Sequence, residues 1–118
     1  MNLDSLLRDE VDLVRHPAGA VIFDRDEAGD AMYVVRSGVV ELLADGVVLE
    51  RVEVGGLFGE MALLDRVERS ATAIVAEPAT LVRVSRRRFE ELVRAEPRFA
   101  LYVMGVLADR LRRVTAAR

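Results

Sequence analysis

Glu60 and Arg69 stand nine residues apart in a stretch that plain sheet-building does not need: Gly55-Gly56-Leu57-Phe58-Gly59-Glu60-Met61-Ala62-Leu63-Leu64-Asp65-Arg66-Val67-Glu68-Arg69-Ser70-Ala71-Thr72-Ala73. A carboxylate accepts hydrogen bonds from hydroxyls, such as those of a sugar. A guanidinium offers paired donors to a phosphate diester. Three glycines within five residues let a backbone approach a ligand closely. Met61 to Leu64 are good helix formers directly after Gly59-Glu60, so one helical turn is expected there. The start of such a turn presents free backbone N–H groups, which attract a phosphate or another anion. Ser70 adds a hydroxyl. The segment therefore holds an acceptor for a sugar, donors for a phosphate and a cation for its charge. On residue types alone it is also compatible with a surface turn closed by an ion pair.

Other chemistry is excluded by what the chain lacks. With no cysteine there is no disulfide, thiol nucleophile or Cys-based zinc site. His16 is the single histidine, which rules out a clustered-His metal site such as that of a cupin enzyme. All 17 basic residues are Arg, so lysine Schiff-base chemistry and a P-loop lysine are absent. No nucleophile has a base partner in the sequence. The expectation is a protein that binds and does not catalyse, with no metal and no cofactor.

The elements that must hold this segment are those of one domain. The chain has 118 residues, 52% hydrophobic and only 5% aromatic, which gives an aliphatic core and a net charge of −3. Short β-type runs separated by turns dominate the middle. They are Val21–Phe23, Ala31–Arg36, Val39–Leu43 after a Ser37-Gly38 turn, and Val47–Val54 after the Asp45-Gly46 hairpin signal. Ala71–Ala76 and Thr80–Val84 follow, with a turn expected at Glu77-Pro78-Ala79. This pattern predicts a mainly β fold, an antiparallel jelly-roll β-barrel over about 11–84. Leu3–Asp9 is expected to form a short N-terminal helix. Ser85 is an N-cap candidate for a helix over 86–95, and Pro97 suits the first turn of a last helix to about Ala116. Phe99, Val103, Val106, Leu107, Arg110, Leu111 and Val114 follow helical spacing in it. Phe99–Leu107 is apolar almost all round, more than one docked stripe needs.

Charge and targeting features bound the setting. Residues 1–82 hold 7 Arg against 16 acids, and residues 83–118 hold 10 Arg against 4. A basic tail can meet nucleic acid or the acidic body of its own chain. No helix-turn-helix is recognisable, and direct DNA binding is not expected. The N-terminus is acidic without a leader's basic start, and the longest apolar run is far short of the ~20 residues of a membrane span. A cytoplasmic protein without membrane contact is expected.

Phe58-Gly59-Glu60, the apolar turn Met61–Leu64, a short loop and Arg69-Ser70-Ala71 closely resemble the phosphate-binding cassette of the cyclic nucleotide-binding domain family. Gly19, Gly29-Asp30, Met32–Gly38 and Gly55 resemble that family's barrel turns and strands, and Phe89, Pro97 and Arg110-Leu111 its two C-terminal helices. The likeness spans roughly residues 11–115. It implies a standalone signalling sensor for a cyclic mononucleotide, cyclic AMP rather than cyclic GMP. Glu60 would hold the ribose 2′-hydroxyl and Arg69 the cyclic phosphate. The N–H groups near Met61 and Ala62, with Ser70 and its amide beside Ala71, would complete the cradle. Thr115 lies near where relatives place a base contact. The last helix would be the moving part, or pair with its copy in a homodimer or with a protein effector. Glu68 precedes the cassette Arg where many relatives have Pro, as in bacterial regulators of the catabolite-activator type. Those regulators continue into a winged helix, which this sequence does not. The alternative is an interaction or dimerisation module of the same fold that has lost its nucleotide.

Overall fold

Two long strands carry the architecture: β3 (Ala31–Ala44) and β6 (Thr72–Ser85), paired antiparallel from Ala31↔Ser85 to Leu43↔Thr72. The computed structural model describes residues 12–64 and 69–116, together with Leu3, Leu7 and Glu10; of residues 114–116 it describes the backbone alone. Around this pair lie β1 (Leu13–His16) and β2 (Val21–Phe23) on β6, and β4 (Val47–Val52) and β5 (Leu57–Phe58) on β3. All pairings are antiparallel, and the path β1–β6–β3–β4 does not return to its start. The result is a mainly β jelly-roll sheet, open in its hydrogen bonding, with helices α1 (Met61–Leu64), α2 (Arg86–Ala95) and α3 (Pro97–Ala116).

Two expected turns are instead bends inside single strands. Ser37-Gly38 and Glu77-Pro78-Ala79 sit opposite each other where the β3–β6 register shifts repeatedly. Gly38 has φ +84°, and a Cβ there would lie 2.2 Å from the Pro78 carbonyl oxygen. Turn-type residues thus serve a shared bulge, where a missing N–H and a close backbone approach bend two strands together. Val47–Val54 shortens to Val47–Val52, because residues 54–55 turn before β5. The Asp45-Gly46 hairpin forms as expected, with φ +54° and +76°. β1 and β5 are additional to the runs read from the sequence, and His16 closes β1 half-buried.

Apolar residues form two clusters. One lies within the sheet around Phe23, Val35, Val40, Phe58, Val75 and Leu81. The other joins the sheet to the helices through Met32, Leu57, Leu63, Val84, Leu92 and Phe99. Leu3 and Leu7 are buried in that second cluster, and the Leu7 N–H donates to the Leu3 carbonyl at 2.9 Å. The rest of the expected N-terminal helix lies outside the described residues. The Ser85 hydroxyl caps α2, accepting from the Arg88 N–H at 3.2 Å. Pro97 opens α3, and Phe89 meets Phe99 edge-on at 5.5 Å, setting the two helices against each other. Among the described residues, no helix is long and apolar enough to cross a membrane.

Candidate functional site

Where β5 ends, Gly59 takes φ +81° and turns the chain into α1. Only a residue without a Cβ adopts this readily, and a Cβ there would also press on the Arg69 guanidinium at 2.8 Å. The Glu60 carbonyl accepts from the Leu63 and Leu64 N–H groups at 3.0 and 3.1 Å, so the expected helical turn is formed. Arg69 sits just before β6, and its backbone is pinned on both sides. Its N–H donates to the Glu27 carbonyl and its carbonyl accepts from the Asp26 N–H, each at 2.8 Å.

A cavity of about 210 Å³ opens between these segments. Its cassette wall is Gly59, Glu60, Met61, Ala62, Arg69, Ser70 and Ala71. Seven of the nine residues expected in the site therefore come together. Phe58 does not line the cavity. It is fully buried behind it, stacked on Tyr33 at 5.4 Å, because β5 alternates and directs this ring into the sheet core. The Thr115 side chain lies outside the described residues, as does the loop 65–68.

Arg69 is 6% exposed. Its guanidinium donates to the Gly59 carbonyl at 2.7 Å and the Ala31 carbonyl at 2.8 Å. Its centre lies 4.0 Å from the centroid of the Phe23 ring. Gly29 packs against it so closely that a Cβ would fall 2.5 Å from Cζ and Nε. The Nε–H has no partner among the described residues, although it is buried. Burial pushes the guanidinium pKa down, while Tyr33, Asp30, Glu27 and Glu60 oppose that shift without cancelling it. An oriented, desolvated cation with a donor to spare is suited to an anion. A buried unsatisfied donor costs about 1–3 kcal/mol.

Glu60, 3% exposed, is engaged by a residue that motif reasoning left out. Arg110 of α3 reaches into the cavity and donates from Nη1 to the Glu60 carboxylate. Its Nε and Nη2 donate to the two Glu50 carboxylate oxygens of β4 at 2.9 and 2.7 Å, and Nη2 also reaches the Leu57 carbonyl. Burial opposes the charge on Arg110, but the hydrogen bond to Glu50 and the charge of Glu60 outweigh it and raise its pKa. Arg113 adds a longer pair to Glu50 at 3.6 Å. One guanidinium thus ties α3, β4 and the cassette. The signal was present in the sequence: Arg110 interrupts the apolar spacing Phe99, Val103, Val106, Leu107. Phe23 and Gly29 carried no such signal, since their role depends on where Arg69 packs. Three Arg and two Glu line the cavity among the described residues, an excess of one positive charge.

Comparison with known proteins bears on this geometry. A family profile, the cyclic nucleotide-binding domain, matches residues 13–96. The Cyclic AMP receptor protein of Thermus thermophilus is 38% identical over 102 residues, 82% of this chain and 47% of that protein. The cAMP-dependent protein kinase regulatory subunit of Yarrowia lipolytica is 34% identical over 76 residues, 64% of this chain and 20% of that one. The chain spans less than half the length of these curated relatives. Among solved structures, the Thermus thermophilus Catabolite Activator Protein superposes with a TM-score of 0.85 at 35% identity, covering 97% of this chain and 55% of that chain.

Proposed function

Since the chain belongs to the cyclic nucleotide-binding domain family, we propose that it binds one cyclic mononucleotide in the cavity beside α1 and signals by that binding, without catalysing a reaction. The observation that carries this reading is the buried Arg69 guanidinium in the wall of a cavity, with an Nε–H that has no partner among the described residues. A cyclic phosphate oxygen would accept from that guanidinium and meet its positive charge. A charge-assisted hydrogen bond of this kind contributes about 1.5–3 kcal/mol, a sizeable part of the ~8 kcal/mol of micromolar binding. The N–H groups near Met61 and Ala62, with Ser70 and its amide beside Ala71, complete the cradle. Glu60 accepts from the ribose 2′-hydroxyl while sharing Arg110. Cyclic AMP is preferred to cyclic GMP, a reading supported by relatives named for cyclic AMP. Thr115 is the proposed base contact. The setting is the cytoplasm, with residues 11–84 and 85–116 working as one unit.

The output is proposed to leave through α3. Arg110 couples this helix to the cavity, so a ligand that changes the sharing of Glu60 biases how α3 docks. The outward face of α3 carries Leu101, Met104, Ala108 and Leu111, all exposed and spaced three, four and three apart. That is the spacing of a coiled-coil seam, and a second copy of the chain is its proposed occupant. The same stripe supports the second reading, a dimerisation module whose Glu60 stays closed by Arg110 and takes no nucleotide.

A thermal-shift panel of cyclic AMP, cyclic GMP and a cyclic dinucleotide separates these readings. A ligand at a hundred times its dissociation constant stabilises the folded state by about 2.7 kcal/mol. The largest upward shift is expected with cyclic AMP. No shift with any of the three supports the second reading.

A further inference from the structure

The first turn of α2 breaks a local rule. It carries Arg86, Arg87 and Arg88 and no acid, so three cations sit at the positive end of the helix dipole. Arg88 is compensated by Glu10, with hydrogen bonds at 2.8 and 2.7 Å. Arg87 is 91% exposed, with its Nε 3.9 Å from the Glu91 carboxylate. Arg86 takes a third course. Its half-buried guanidinium turns to the cassette and donates from Nη1 to the Leu63 carbonyl and from Nη2 to the Ala62 carbonyl at 3.1 Å. Its backbone N–H donates to the Asp30 carbonyl at 3.2 Å, next to the Gly29 that packs on Arg69.

Ala62 and Leu63 belong to a helix of only one turn. The last carbonyls of any helix lack partners within it, and in a single turn most carbonyls are of this kind. Arg86 supplies two donors to the turn's far end, and it does so from the first residue of another helix. A violated local preference with a specific compensating contact is where a role is expected. We propose that Arg86 is the positioning residue of the cassette. It fixes the helical turn Met61–Leu64 from behind and ties that turn to the start of α2, so that occupancy of the cavity is felt along α2. The planar fork matters, because two carbonyls in different directions need two N–H vectors from one rigid group.

The ligand arm of the test rests on the cyclic-nucleotide reading; the ligand-free arm does not. Wild type, Arg86→Gln and Arg86→Lys are compared by hydrogen exchange over residues 61–64 and 86–95, with and without cyclic AMP, and by titration calorimetry with cyclic AMP. In the absence of nucleotide, Arg86→Gln is expected to speed exchange in 61–64 and leave β3 unchanged. It is also expected to weaken cyclic AMP binding roughly tenfold, and to abolish the nucleotide-induced protection of 86–95 that is expected in wild type. Arg86→Lys, which keeps the charge but not the fork, is expected to fall between the two and serves if Arg86→Gln does not fold. Exchange in 61–64 equal to wild type in the substituted proteins overturns the positioning role. So does unaltered protection of 86–95 with binding within about twofold of wild type. If wild type itself binds no cyclic AMP, the proposed function fails, and the ligand-free exchange alone decides the role of Arg86.

Discussion

Arg69 is held in place by what surrounds it, and that makes its neighbours testable. Two carbonyls, an aromatic face and the bare Cα of Gly29 fix the guanidinium, and its Nε–H has no partner among the described residues. Gly29 has no strained backbone to explain its residue type; its need is space, since a Cβ would lie 2.5 Å from Cζ and Nε of Arg69 and 2.7 Å from Cβ of Ala62. Gly29→Ala must therefore displace the guanidinium. It is expected to cost about 1–3 kcal/mol of stability as an overpacked site. It is also expected to weaken cyclic AMP binding roughly tenfold, read by calorimetry alongside urea denaturation. Binding that stays at the wild-type level while stability falls would separate the placement of Arg69 from ligand recognition. Glu60 and Arg69 were legible in the sequence because the cassette is contiguous. Gly29 was legible only as a turn of the resembled family; its contact with Arg69 was not, because it crosses forty residues and depends on how the loop before β3 folds back.

At the scale of elements, Arg110 decides how α3 sits. It is bidentate to Glu50, bonded to Glu60 and bonded to a backbone carbonyl. Arg110→Leu leaves the buried Glu60 carboxylate without its cation, and breaking one side of a buried pair costs about 3–5 kcal/mol. Because Arg110 is 19% exposed, the lower end of that range is expected. Hydrogen exchange over 97–113 is expected to accelerate in this variant, and cyclic AMP to slow exchange there in wild type. Unchanged exchange in the variant would mean that the apolar contacts of Phe99 and Val103 dock α3 without help. The helices themselves were well legible: Ser85 as N-cap and Pro97 as first residue mark their starts, and both fall where expected. The strands were less so. Gly38 and Pro78 carry turn chemistry, and only their mutual position shows that they bend two 14-residue strands at one bulge. β5 has two residues and offers no periodicity to read. The extent of Phe99–Leu107 is explained by its two faces: Phe99 and Val103 are buried on the core, and Leu101 and Met104 are exposed.

Across the whole molecule, the uneven charge folds back on itself. Arg83 pairs with Asp12 and Asp30, Arg88 with Glu10, and Arg110 with Glu50 and Glu60. The basic end thus meets the acidic body at these points, and the charge asymmetry does not by itself call for nucleic acid. The outward stripe of α3 is apolar and exposed, as are Val47, Val48 and Leu49 of β4. Met104→Glu places a charge in the middle of the proposed seam, and sedimentation velocity is expected to show a dimeric wild type and a monomeric variant. A monomeric wild type at tens of micromolar, a range where specific pairing is worth only about 6–7 kcal/mol, would remove the second copy as occupant. Arg69 is the proposed anchor of a cyclic mononucleotide in this cavity. The most direct measurement is titration calorimetry of cyclic AMP into wild type and Arg69→Leu, with folding of both checked by circular dichroism. Saturable one-site binding is expected in wild type, weakened at least about tenfold in the variant. Wild-type affinity in a folded Arg69→Leu, or no saturable heat in wild type, would contradict it.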